Sequence, residues 1–235
     1  MRLHSHSWGE GDRVALLIHG IMADHRTWRK VGPALADRGY RVVAVDLRGH
    51  GLSGRAGSYT AQDHADDLVE TLPRGAEFAL GHSLGGLTLS LAVERLAPRR
   101  AVYSDPAWYL GGGGEGDGFD PAHFAELKSI ATRDVVEMLN PRWEREDVDA
   151  ELEALALWDE SSAHGLSGSA GPDLLPGAPV VPSLVQLADL SFLVPPERAR
   201  VLASRGFELR TVKGAGHALH RDDFDGFMAS LEGWI

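Results

Sequence analysis

Apolar and polar positions along this chain switch between two periods, and the switches mark out its elements. Val14-Ala15-Leu16-Leu17-Ile18 is an unbroken apolar run ending in His19-Gly20, the pattern of a parallel strand covered on both faces. Trp28, Val31 and Leu35 then recur at helical spacing, with Gly39 as a stop signal. Arg41 to Val45 reads as a second buried strand and opens into the turn-rich stretch Asp46 to Gly51. A helix is expected from about Thr60 to Leu72, a strand at Phe78 to Leu80, a helix from Leu84 to Leu96 and a strand from Arg100 to Ser104. Leu3 to Trp8 is expected to add a short edge strand before the turn signal Glu10-Gly11-Asp12. Strand alternating with helix predicts an α/β fold with a doubly wound, mostly parallel sheet.

The rhythm stops after Asp105. From Pro106 to about Ala178 there is no strand signal. Gly111 to Gly118 is glycine-rich and acidic, a hinge or a loose loop. Phe124, Leu127, Ala131, Val135 and Met138 then line one helical face, and Val148, Leu152 and Leu155 another. A Ser/Gly/Pro stretch from Ser161 to Pro179 closes the insert. Strand Val180 to Leu187, helix Pro196 to Ser204, strand Phe207 to Val212 and a last helix bearing Phe224, Phe227, Met228, Leu231 and Trp234 resume the alternation. The expected organisation is one α/β core, 1–105 and 180–235, interrupted by a helical cap at 106–179.

Composition narrows the chemistry. The 235 residues contain no cysteine, which removes disulfides, thiol nucleophiles and thiolate metal sites together. A covalent catalyst must then be an oxygen or a nitrogen. With 23 Lys and Arg against 34 Asp and Glu, the net charge of −11 disfavours nucleic acid and anionic membrane surfaces, which need a positive footprint. The start, MRLHSHSWGEGDR, has no apolar signal region, and no apolar run approaches the roughly 18 residues of a membrane span. A cytoplasmic location is the expectation. The preference for Arg over Lys suggests a GC-rich bacterial origin.

Gly81-His82-Ser83-Leu84-Gly85 fits G-x-S-x-G between an apolar strand and a helix. A serine on a sharp strand-to-helix turn needs neighbours without Cβ atoms, so that the backbone can bend and expose the hydroxyl. The plain alternative is a glycine-rich turn that merely packs a helix on a strand. A serine hydroxyl is a weak nucleophile without a base in hydrogen-bond reach, and His217, in Gly214-Ala215-Gly216-His217 after the last strand, is the candidate base. Nearby His220 is read as structural. Backbone N–H donors for a developing oxyanion are expected from Leu84, directly after the serine, and from Ile21, after the first buried strand; losing one such donor typically costs about 3 kcal/mol of transition-state stabilisation.

These motifs in this order, His19-Gly20, Asp46-Leu47-Arg48-Gly49-His50-Gly51-Leu52-Ser53, Gly81 to Gly86 and Gly214 to His217, resemble the α/β-hydrolase superfamily in its esterase and lactonase-like branch. The resemblance covers the chain apart from the cap. It implies acyl transfer by a Ser–His–Asp triad with no cofactor. In many members the acid precedes a Val-Pro pair; here that position is Ser191, with Asp189 two places early. A second location in the superfamily, the end of the strand after the nucleophile helix, holds Asp105 before Pro106. Asp105 is the preferred acid and Asp189 the alternative. A serine at 83, where halide- and epoxide-processing members carry aspartate, argues against those chemistries.

In this superfamily the insert roofs the pocket, so Trp108, Tyr109, Met138, Trp143 and Trp158 are the candidate substrate-binding residues, about two of the five being expected to touch a ligand. The implied substrate is a small, uncharged, hydrophobic ester or lactone. Carbon–carbon bond hydrolysis, amide hydrolysis and cofactor-free perhydrolysis use the same machinery, and a non-catalytic ligand-binding module on this fold is the reading from another class. His64, Asp66 and Asp67 resemble metal ligands but read better as a solvated helix face. His4 and His6 alternate on one strand face without an apparent third ligand, and a glycine-rich turn with no lysine after it does not fit a nucleotide. The partner expected is therefore a small molecule, and the sequence leaves the oligomeric state open.

Overall fold

Along the strand Arg13–Ile18 (β2), alternate side chains enter two separate cores: Leu16 and Ile18 one, Ala15 and Leu17 the other. Tyr40–Val45 (β3) does the same, with Val43 and Val45 on the first face and Val42 and Ala44 on the second. A strand must be apolar at every position when helices cover both sides of its sheet, and this is why these segments read as unbroken apolar runs. The computed structural model describes residues 1–109, 119–169 and 174–235. Its sheet has seven strands in the order β1-β3-β2-β4-β5-β6-β7, the others being Ser5–Trp8 (β1), Phe78–His82 (β4), Ala101–Ser104 (β5), Ser183–Ala188 (β6) and Glu208–Val212 (β7). Only β1 runs antiparallel, pairing Ser5 with Val45 through Trp8 with Val42. All other pairs are parallel, so the loops that leave β2, β3, β4, β5, β6 and β7 emerge at one edge.

Two helices on one face carry most of the packing there. Ala61–Thr71 (α2) starts with a reciprocal cap in which Thr60 and Asp63 each accept the other's backbone N–H. Leu84–Leu96 (α3) follows β4 directly and is buried along most of its length. Val31–Ala36 (α1), preceded by a short 3₁₀ turn at His25–Trp28, lies on the opposite face.

Between β5 and β6 the described residues form four helices and no strand: Pro121–Ile130 (α4), Arg133–Leu139 (α5), Arg145–Leu157 (α6) and Ser161–Ser169 (α7). The single face expected from Phe124 to Met138 is split at Ala131, because the Thr132 hydroxyl accepts from the Val135 N–H and starts a new helix. Helix α7 lies where a Ser/Gly/Pro connection was expected. Its Ala163 and Leu166 are buried, so packing outweighs a weak local preference. The expected glycine-rich stretch Gly111 to Gly118 lies outside the described residues.

After Pro196–Ser204 (α8) and β7 the chain ends in Leu219–Asp222 (α9) and Phe224–Ala229 (α10). The expected last helix corresponds to α10, which Asp223 caps through the Gly226 N–H and which ends at Ala229, and α9 is an additional short helix before it. Among the described residues no helix is long and apolar enough to cross a membrane.

Candidate active site

Ser83 occupies the turn between β4 and α3 at φ 52° and ψ −118°, a region that costs a residue with a Cβ of the order of 1–3 kcal/mol. Four backbone hydrogen bonds hold it there. Its N–H donates to Ser104 O at 3.0 Å, and its carbonyl accepts from Gly86, Leu87 and Ala107 at 2.9, 3.2 and 3.0 Å. The flanking glycines permit the turn. A Cβ at Gly81 would lie 2.3 Å from Gly85 O, and one at Gly85 2.3 Å from Ile18 O. Gly20 is also close, though less tightly packed: a Cβ there would meet the Ser83 Cβ at 3.1 Å. The end of β2 is thereby brought beside the serine.

Asp105 follows β5 at φ 41° and is fully buried. Its N–H donates to Gln186 O at 2.8 Å, and its Oδ2 lies 2.6 Å from His217 Nδ1. A carboxylate can only accept in this pair, so His217 carries its proton on Nδ1 and presents Nε2 with a free lone pair. His217 and Ser83 line the same cavity. Asp189 is placed differently. It is exposed and anchors the loop that carries His217, accepting from the Gly214 N–H at 3.0 Å and donating its own N–H to Ala215 O at 3.0 Å.

His82 and His220 were not singled out for the site, yet both adjoin His217. His82 is buried and its Nε2 donates to His217 O at 2.8 Å, with the two rings 4.7 Å apart. Burial first, and then the neighbouring His217, push His82 well below the usual imidazole range. His220 is buried against Trp28 and bonds Thr27 Oγ1 at 2.7 Å; burial and the adjacent His82 push it down as well. Both are neutral near pH 7, leaving His217 as the half-exposed imidazole of the three. The signal for His82 was its position immediately before the elbow serine.

The cavity has a volume of about 1010 Å³ and is lined by Ile21, Ser83 and Leu84 together with Phe119, Phe124 and Leu127. Leu84 is the first residue of α3, where backbone N–H groups have no partner within the helix. Four charged side chains on the wall are paired, Arg221 with Glu151 at 2.6 Å and Arg142 with Asp222 at 3.8 Å, while the exposed Asp120 caps α4 by accepting from the Ala122 N–H.

Of the five aromatic and sulfur side chains expected at the substrate, Tyr109 and Trp143 line the cavity. The other three do not. Trp108 is buried in the main core against Tyr103 and Phe207, its Nε1 donating to Ser90 Oγ. Trp158 is buried beneath α6 and donates to Ser162 Oγ at 2.7 Å. Met138 points outward, 71% exposed, while its α5 neighbours Val135, Val136 and Leu139 line the cavity. The loop Asp46 to Ser53 braces the site: His19 Nε2 accepts from the Leu47 N–H at 2.9 Å, and the Ser53 hydroxyl donates to Asp46 O at 2.6 Å. Asp67 on α2 is bound by the Arg48 guanidinium at 2.6 and 2.8 Å, while both ring nitrogens of His64 are buried without a partner among the described residues.

The profile of the Alpha/beta hydrolase family matches residues 15–229. Among characterised proteins, the 2-(acetamidomethylene)succinate hydrolase of Mesorhizobium japonicum is 43% identical over 76 residues, 31% of this chain and 27% of its own. The pimeloyl-[acyl-carrier protein] methyl ester esterase of Sodalis glossinidius is 37% identical over 87 residues, 37% and 33% of the two chains. These matches span a third or less of either relative. The crystal structure of an N-formylmaleamic acid deformylase from Pseudomonas putida S16 superposes with a TM-score of 0.80 at 23% identity, covering 97% of this chain and 96% of that one.

Proposed function

Because the chain belongs to the alpha/beta hydrolase family, we propose that it is a serine hydrolase that cleaves an uncharged, hydrophobic ester or lactone through an acyl-enzyme on Ser83. The observation that carries this reading is the pair formed by His217 Nδ1 and the buried Asp105 Oδ2 at 2.6 Å, with His217 lining the same cavity as Ser83 on its strained turn.

The Ser83 Oγ attacks the substrate carbonyl carbon while His217 Nε2 takes the hydroxyl proton. Asp105 holds the imidazole in the required tautomer and stabilises the imidazolium. Negative charge gathers on the carbonyl oxygen, facing the N–H groups of Leu84 and Ile21. The tetrahedral intermediate then expels the alcohol, which receives the proton from His217, and water repeats the sequence on the acyl-enzyme to release the acid and restore Ser83. For a lactone the alcohol and acid are the two ends of one product.

The residues 106–179 act as a cap in this reading, with α4, α5 and α6 as the roof of the cavity. Its predominantly apolar wall, with Arg221 and Arg142 each paired to a neighbouring carboxylate, supports an uncharged acyl group. The matched relatives support ester cleavage through the methyl ester esterase and amide cleavage through the deformylase, so the decisive screen holds both bond types. Purified protein is assayed on p-nitrophenyl esters of graded chain length, on lactones and on the matching anilides. The expected result is ester or lactone turnover that Ser83→Ala abolishes. Turnover confined to anilides, or activity surviving in Ser83→Ala, would overturn the assignment.

A further inference from the structure

His82 closes β4 one position before Ser83, and the register of the sheet pairs it with Ser104, the residue before Asp105. Two adjoining strand ends therefore carry the candidate nucleophile, the candidate acid and His82. Asp105 holds the His217 ring through Nδ1. His82 holds the same residue at its backbone, its Nε2 donating to His217 O at 2.8 Å. A carbonyl oxygen can only accept, so the His82 proton sits on Nε2.

The His82 ring is itself fixed. It is buried, with the His217 ring centre 4.7 Å away and the His220 ring centre 5.1 Å away at 72°. His220 is tied in turn to Thr27 Oγ1 at 2.7 Å, and a Cβ on Gly20 would lie 3.1 Å from His82 Nδ1. The loop it grips is less constrained. Gly214 stands at φ 78°, and the contacts of Asp189 and Arg142 fall on Gly214 and Ala215, before the histidine. Burial also keeps His82 well below the usual imidazole range, so this neighbour stays uncharged near pH 7 and does not oppose a proton arriving on His217.

We propose that His82 is a positioning residue for the base: its Nε2–H, fixed at the end of β4, clamps the His217 carbonyl and so sets where that imidazole stands in the Ser83 pocket. The proposal rests on the reading of His217 as general base. It adds a hold on the backbone to the hold of Asp105 on the ring. Misplacing a catalytic group by about 1 Å can cost on the order of 10²-fold in rate, and a group that does not touch substrate should leave KM alone.

Three variants test it, each checked by circular dichroism. His82→Gln keeps an N–H donor near the place of Nε2, and His82→Leu removes it. His82→Asn, polar but too short to reach, also removes it and serves should His82→Leu fail to fold. On a p-nitrophenyl ester, His82→Leu and His82→Asn should lose at least about tenfold in kcat with KM within about twofold, and His82→Gln should retain most of the wild-type rate. Hydrogen exchange read by mass spectrometry reports on the clamp without substrate: the peptide over 214–218 should exchange faster in His82→Leu and His82→Asn than in the wild type and His82→Gln. Wild-type kcat in a folded variant lacking the donor, His82→Gln no better than the other two, or unchanged exchange would overturn the proposal. Faster exchange in a protein whose wild type cleaves no ester would support the clamp and contradict the hydrolase reading instead.

Discussion

Asp105 and His217 meet across 112 positions of sequence at 2.6 Å, and the two candidate acids differ in what they hold. Asp105 holds an imidazole, whereas Asp189 holds a backbone amide of the loop that bears it. Asp105→Asn is therefore expected to lower kcat by about 10⁴-fold, because an amide in that place favours the wrong imidazole tautomer. Asparagine tolerates the positive φ of this position, so the variant is expected to remain folded. Asp189→Asn should leave kcat within a small factor. Steady-state kinetics on the two variants, each checked by circular dichroism, decides between them, and equal mild losses would contradict the assignment. The sequence order of serine and histidine made these two residues legible at once. The acid was narrowed to two, Asp105 preferred over Asp189, because the contact with His217 depends on the pairing of β5 with β6 and of β6 with β7, which no local motif encodes.

At the scale of elements, the turn between β4 and α3 depends on absent side chains. Gly85→Ala would drive a methyl group into the Ile18 and His19 carbonyls, at 2.3 and 2.6 Å. Overpacking of this kind typically costs about 1–3 kcal/mol, and it should appear as a lower urea midpoint together with lost activity. Gly57→Ala is the control: nothing lies within 4 Å of a Cβ there, so stability should hold or rise slightly. The strands and α3 were readable because their apolar runs have one period and end in glycine signals. The insert was harder. Its short helices are only partly buried, and the Thr132 cap that splits α4 from α5 changes which side chains face inward. Leu127 in α4 then lines the cavity while Met138 in α5 does not. Leu127→Ala is expected to raise kcat/KM for long acyl chains relative to acetate, measured across a p-nitrophenyl ester series; an unchanged ratio would detach α4 from substrate selection.

For the whole molecule, burial has placed five neutral imidazoles inside a chain with eleven histidines. His19, His50, His82 and His220 are all pushed down by burial first, and His64 is lowered to about 3 by burial and then by the Arg48 charge. Unfolding returns each to an ordinary value of about 6.5. Below that pH the unfolded chain binds more protons than the folded one, so stability is complete above about pH 6.5 and falls as the pH drops toward the folded values, by about 1.4 kcal/mol per pH unit for each histidine. Urea midpoints measured from pH 7.5 to pH 5 should fall steeply, and a flat profile would contradict the neutral buried rings. The absence of cysteine, evident from composition, also has its consequence at this scale, because it removes every thiol nucleophile and leaves the proposed acyl transfer to an oxygen or a nitrogen, which the proposal assigns to Ser83. The most direct measurement of that claim is labelling of the folded protein with a fluorophosphonate probe, followed by peptide mass spectrometry. The account predicts a single stoichiometric adduct on Ser83 that is lost in His217→Ala; no adduct on folded protein, or an adduct on another residue, would contradict it.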